Sequence, residues 1–184
     1  PENATELPGY ITNPGNVDTN WQDEVFRSGL AQNYMISLRG GNEKARYSVS
    51  YNHADEKGVL LGNRFKQENA RMKLSASKNI FDLDANLGFR ATKNNQPQYS
   101  LKEVYMISPL VPVYDDTKEY GFGLSDGNGL PSNRNVLADN HYRKAVTNSY
   151  YMTANASVTA NFTKWLNFRT SYSYQGNHQR YKYH

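Results

Sequence analysis

Six runs of this chain alternate apolar with polar residues at a period of two, which puts all the apolar side chains of a run on one face of a β-strand. A helix would scatter the same residues around its circumference. In the first run Tyr34, Ile36 and Leu38 share a face, and in the second Ala45, Tyr47, Val49 and Tyr51. The third sets Ala70, Met72, Leu74 and Ala76 against Arg71, Lys73, Ser75 and Ser77. In the fourth, Phe81, Leu83, Ala85, Leu87, Phe89 and Ala91 oppose Asp82, Asp84, Asn86, Gly88, Arg90 and Thr92. The fifth carries Met152, Ala154, Ala156, Val158, Ala160 and Phe162 on one side, and the sixth Leu166, Phe168, Thr170, Tyr172 and Tyr174. The expected fold class is all-β, with antiparallel up-and-down strands.

Connection lengths narrow the architecture. Short turns fall at Gly40 to Lys44, Ser77 to Ile80 and Thr163 to Trp165, while a moderate link spans about 55–68 and a very long one about 93–148. Short turns thus gather at one end of the sheet and long loops at the other. A water-soluble sheet packed on itself also alternates, and an extracellular all-β module that recognises glycans through its tyrosines stands as the alternative. A transmembrane β-barrel matches more of the pattern. It has strands of about 10 residues, lipid outside and a wet lumen inside, with short periplasmic turns and long external loops. Arg46, Arg71, Lys73, Asp82, Asp84, Arg90 and Arg169 all lie in strand interiors on the polar face, as a lumen requires. Phe81, Phe162, Trp165 and Phe168 sit by the short turns and Tyr150, Tyr151, Tyr172 and Tyr174 towards the loops, suggesting two aromatic girdles. Membrane barrels have at least about eight strands, so these six are either part of a larger barrel or the water-soluble sheet. The expected organisation is a lead-in over 1–31, four early barrel strands in two hairpins over 32–92, a long extracellular loop over 93–148 and a barrel hairpin over 149–184.

Composition removes other classes. Without cysteine there is no disulfide, thiolate metal site or cysteine nucleophile. The 21 basic and 17 acidic side chains leave a net charge of +4, too small and too interspersed to suggest a nucleic-acid partner. Hydrophobic residues make up 38% of the chain and are interrupted too often for a membrane-crossing helix of about 20 residues. The opening PENATELPGY has neither an initiator Met nor a basic and then apolar leader, as expected of the interior of a longer precursor.

Three segments carry a resemblance: WQDEVFR from Trp21 to Arg27, GGNEKARYSVSY from Gly40 to Tyr51, and GVLLGNRFKQENARMKLSAS from Gly58 to Ser77. Together they resemble the SusC/RagA-like family of TonB-dependent outer-membrane transporters, and the hairpin FTKWLNFRTSYSY is similar too. The resemblance implies a barrel of 22 strands around an N-terminal plug, importing glycan or peptide oligomers beneath a SusD-like surface lipoprotein. It further implies energy from the TonB complex, contact with outer-membrane lipid, and residence in the outer membrane of a Gram-negative bacterium. No plug motif or TonB box is among these residues, so the parts that engage TonB lie outside this chain.

Catalytic and metal-binding readings are weaker. Gly123-Leu124-Ser125-Asp126-Gly127 fits G-x-S-x-G, but the strand before and helix after that a nucleophile elbow needs are missing from the pattern. Asp115, Asp116, Glu119, Asp126 and Asn128 could offer oxygen ligands to calcium, yet the closing glutamate of an EF-hand loop is lacking. His53, His141, His178 and His184 show no spacing for zinc. Asp82 and Asp84 are expected to pair across the strands with Arg71 and Lys73 rather than to act as an acid/base couple. The expectation is no enzyme, no cofactor and no metal. The long loop is the candidate binding element, through Tyr99, Tyr105, Tyr114, Tyr120, Phe122 and Tyr142, whose flat rings can stack on sugar faces or peptide side chains. In the same loop Pro109 and Pro112 favour a stiff strut.

Overall fold

Each alternating run becomes a strand, and consecutive strands pair antiparallel in chain order to form one six-stranded sheet. The structure is a computed structural model that describes residues 17–124 and 135–183. The strands are β1 (Leu30–Gly41), β2 (Ala45–Lys57), β3 (Arg64–Lys78), β4 (Phe81–Gln96), β5 (Ala145–Asn161) and β6 (Asn167–Tyr183). β1 and β6 are the two edges, so the sheet is open, as a part of a barrel must be.

The tight turns follow from their residues. Asn42 accepts the Lys44 and Ala45 amides on Oδ1 at 2.9 Å each, closing the β1–β2 hairpin. Gly41 precedes it at φ +138°, where an added Cβ would lie 2.2 Å from the Ala45 carbonyl oxygen. Only glycine fits there. Asn79 turns β3 into β4 at φ +56°, a conformation asparagine tolerates better than most residues. Thr163 Oγ1 accepts the Leu166 amide at 3.0 Å to close the last hairpin.

The strands outrun the apolar alternation. β3 starts at Arg64, β4 continues to Gln96, β5 starts at Ala145 and β6 runs to Tyr183. Ladder hydrogen bonds depend on the backbone and not on side-chain polarity, so pairing continues where the side chains turn charged. The long strands also move two tyrosines away from the girdle expected of them: Tyr172 and Tyr174 pair with Ala156 and Ala154 at mid-strand. Tyr151 lies opposite Arg90, on the polar face.

Register carries each face across the whole sheet. Leu38, Val49, Met72, Leu87, Ala154 and Tyr174 form one row through all the strands, with Ile36, Tyr51, Ala70, Phe89 and Met152 beside it. On the reverse face lies the row Arg39, Ser48, Lys73, Asn86, Asn155 and Ser173. Nothing in the described chain covers the apolar face. Ile36 is 73% exposed, Leu38 60% and Leu87 48%. Leu83, Phe89 and Val158 are likewise open, so they do not gather into a self-contained nucleus.

The buried core lies instead at the loop end. It joins α1 (Trp21–Val25), α2 (Leu101–Met106) and α3 (Val136–Tyr142) with the segments between β4 and β5. Trp21, Val25, Tyr99, Val104, Ile107, Val111, Val136 and Leu137 form it, with Leu61, Val113 and Phe122 packed against them. α1 and α2 are too short to persist alone. Asn20 caps the first, and a reciprocal Ser100–Glu103 capping box starts the second.

The expected pairing of Asp82 and Asp84 with Arg71 and Lys73 does not form. The turn at Asn79 sets the register so that Asp84 faces Ser75 and Asp82 faces Ser77, while Lys73 faces Asn86 and Arg71 faces Gly88. Ser75 donates to Asp84 at 2.8 Å, and Asn161 donates to Asp82 at 2.7 Å.

Candidate functional site

Two surfaces have the chemistry of a binding site: the loop cap and the polar face of the sheet beneath it. The cap is organised by side chains that bridge distant segments. Asn135, only 3% exposed, accepts the Leu137 and Ala138 amides on Oδ1 and donates through Nδ2 to the carbonyls of Val113 and Gly123. It starts α3 and ties that helix to the loop strands around Tyr114 and Phe122. The strut at Pro109 and Pro112 bears on the chain's own lead-in, since Thr19 donates its amide to the Pro109 carbonyl and its hydroxyl to the Val111 carbonyl. Trp21 adds an indole N–H bond to the Ser108 carbonyl at 3.1 Å.

The six rings singled out in the sequence divide into two roles. Tyr99 is 8% exposed and donates its hydroxyl to the Leu61 carbonyl at 2.8 Å, which makes it a pillar of the core; burial pushes its phenol up from the ordinary value. Tyr114, Phe122, Tyr120 and Tyr142 come together as a chain of ring contacts. Tyr114 and Phe122 have centroids 5.4 Å apart, and Tyr120 and Tyr142 stand edge-to-face at 5.8 Å. Phe122 joins the two pairs through Tyr142, also at 5.8 Å. Tyr114, Tyr120 and Tyr142 remain more than half exposed while Phe122 leans on the core, so the cluster is anchored beneath and open above. Tyr105 lies apart on α2, also exposed.

Sequence reasoning missed His141, whose ring stands 4.8 Å from Tyr142 and 5.8 Å from Phe122. Its place beside Tyr142 on α3 was the available signal. Tyr114, Phe122, His141, Asn140, Lys144 and Leu61 line a hollow of about 220 Å³, where rings meet amide and ammonium donors. Asp115 holds the neighbouring turn by accepting both the amide and the hydroxyl of Thr117, bonds that keep its carboxyl below the usual range.

On the polar face Arg71, Lys73 and Arg90 border a depression of about 210 Å³ with Asn69, Asn86, Tyr151 and Thr153. Gly88 forms its floor, because a Cβ there would come within 2.6 Å of Thr153 Oγ1. The Arg90 guanidinium lies 5.7 Å from the Tyr151 ring centre. Arg169 donates to Ser157 at 3.1 Å. The face presents cations and amides.

Ser125, Asp126, Asn128 and His184 lie outside the described residues. Among the described residues no three acidic or histidine side chains are grouped as a metal site. His53 does meet a carboxylate, Glu68 at 2.7 Å, through strand pairing that sequence spacing could not reveal.

An open antiparallel sheet whose apolar face is bare and whose reverse face is charged is a piece of transmembrane β-barrel wall. The comparisons agree. No family model matches the chain. It is 27% identical over 112 residues to the TonB-dependent receptor SusC of Bacteroides thetaiotaomicron, a match covering 59% of this chain and 11% of that protein. It is 29% identical over 58 residues to the TonB-dependent receptor P3 of Formosa agariphila, covering 32% of this chain and 6% of that one. The structure of the RagAB peptide transporter superposes with a TM-score of 0.71 over 91% of this chain and 20% of that one, at 17% identity. The RagAB peptide importer in its closed-closed state gives 0.70 at 16% identity. The chain is similar to these TonB-dependent receptors, shares the fold of a stretch of the RagAB transporter, and spans a small part of their length.

Proposed function

We propose that these strands are wall from a TonB-dependent importer in the outer membrane of a Gram-negative bacterium. The apolar face meets outer-membrane lipid and the cationic reverse face lines the wet interior. The loop cap faces the cell exterior, where its rings meet glycan or peptide oligomers and its outer surface meets a SusD-like lipoprotein. The TonB complex engages parts of the transporter beyond this chain. The observation that carries the reading is the row from Leu38 to Tyr174, apolar across six strands and uncovered, in a chain whose core lies elsewhere. In water such a face would expose an apolar patch far larger than a soluble protein tolerates; in hydrocarbon it is the natural outer surface.

The binding role rests on the Tyr114, Tyr120 and Tyr142 cluster, whose open ring faces can stack on pyranose or side-chain surfaces. The test is uptake of separate labelled oligosaccharide and oligopeptide pools by cells carrying the intact transporter with Tyr114→Ala, Tyr120→Ala and Tyr142→Ala combined. Uptake of one pool falls at least about tenfold, the scale of losing one or two stacking contacts, while the barrel keeps its heat-resistant mobility on gels. Unchanged uptake of both pools refutes the role of the cluster.

A further inference from the structure

Above the apolar band, the lipid-side face changes character within two residues along every strand. The last mixed row is Tyr34, His53, Glu68, Ala91, Tyr150 and His178, where Glu68 accepts from Tyr51 and pairs with His53. Tyr34 stacks on His53 with ring centres 6.2 Å apart, an arrangement suited to the membrane–water boundary. The next row on that face places Lys66 directly opposite Lys93, with Arg180 two strands on. The row beyond adds Lys57, Arg64 and Lys182.

Against these cations the two rows hold one carboxylate, Asp55, which Arg64 grips with two nitrogens and Lys66 reaches at 3.2 Å. Lys93, Arg180 and Lys182 are exposed. Direct opposition of Lys66 and Lys93 is unfavourable for a bare sheet, because facing side chains stand only about 5 Å apart at Cβ. An anion between or above them reverses the sign. The row from β3 to β6 is about 14 Å wide, and it sits one residue pair, about 5 Å in height, above the tyrosines.

We propose that Lys66, Lys93 and Arg180, backed by Lys182, form a site on the outside of the barrel for the phosphate groups of a membrane lipid headgroup. The position selects this ligand. The site faces away from the lumen, adjoins hydrocarbon on its lower side, and offers ammonium and guanidinium donors at the depth of the headgroups. The inference rests on the barrel reading for which face meets lipid.

The test is lipid retention by the full-length transporter in mild detergent, followed by native mass spectrometry. The probes are a phosphorylated lipid A, its dephosphorylated counterpart, and inorganic phosphate. Wild-type protein retains the phosphorylated lipid, and Lys66→Gln, Lys93→Gln and Arg180→Gln combined weaken retention at least about tenfold. A lumen-side set, Arg71→Gln, Lys73→Gln and Arg90→Gln, leaves it unchanged. Equal retention of the dephosphorylated lipid, equal binding of inorganic phosphate alone, or no effect of the lipid-side set overturns the site while leaving the barrel reading intact. Loss of retention in the lumen-side set alone overturns the face assignment itself. Heat-modifiable mobility on gels confirms that each variant is folded before its lipid is read.

Discussion

Replacing Leu87 with Arg in the intact transporter tests the face assignment most directly. Leu87 lies six positions beyond Phe81, the first residue of β4 after the short turn. At about 3.4 Å per residue and a tilt of about 40°, it stands about 16 Å above that edge of an apolar band about 25 Å tall, close to its middle. Arg at the midplane of a lipid-facing strand costs about 2–4 kcal/mol, which at about 3 kcal/mol shifts the folding equilibrium roughly a hundredfold. The matched control is Asn155→Arg on the opposite face, where the side chain is exposed and its cross-strand neighbours are Asn86 and Ser173. Its cost is within about 0.5 kcal/mol. Urea titration of each variant in lipid vesicles, read by heat-modifiable mobility, gives both numbers. Equal midpoints for the two variants would refute the assignment of the Leu87 face to lipid.

Three further outcomes follow from the cap. Asn135→Ala removes a helix cap and takes the Asn135 donor from the Gly123 and Val113 carbonyls, leaving Val113 only the Gly123 amide, at a cost of about 2 kcal/mol of local stability; protease nicking between β4 and β5 should accelerate while the barrel stays folded. Tyr99→Phe loses the bond to the Leu61 carbonyl and destabilises the cap by about 1 kcal/mol, without the loss of uptake expected for the exposed tyrosines, so hydrogen exchange near Leu61 should rise and transport should not change. The depressed carboxyl of Asp115 stabilises its turn at every pH above the ordinary carboxylate value, and that contribution fades as pH falls below it towards the lower folded value. Nicking near Thr117 should therefore increase on acidification in the wild type, and an Asp115→Asn variant should be insensitive over the same range.

The alternation of Phe81 to Thr92 and Met152 to Phe162 was enough to read strands, faces and the open antiparallel sheet, because a period of two leaves a residue no choice of side. Strand length was not legible. Asp55, Lys66, Lys93 and Arg180 break the apolar pattern, yet their backbones stay in the ladder, since the break marks the edge of the band and not the end of pairing. Cross-strand partners were equally hidden: the aspartates met Ser75 and Asn161, and His53 met Glu68, according to a register set by the turns. In the loop, composition identified aromatic binding candidates but could not separate Tyr99, which is buried, from Tyr114, which is open. That distinction depends on Tyr99 joining one buried core with Trp21 and Val136, residues distant in the chain.

The cap core draws one residue group from each of three places along the chain: the lead-in at Trp21 and Val25, the β2–β3 connection at Leu61, and the β4–β5 connection from Tyr99 to Leu137. Segments that share one apolar centre cannot shift singly without opening it to water. In the proposed importer, a molecule landing on Tyr114 or Tyr142 would therefore press on the approach to β1 as well, and the cap would answer as one rigid plate, not as separate flaps.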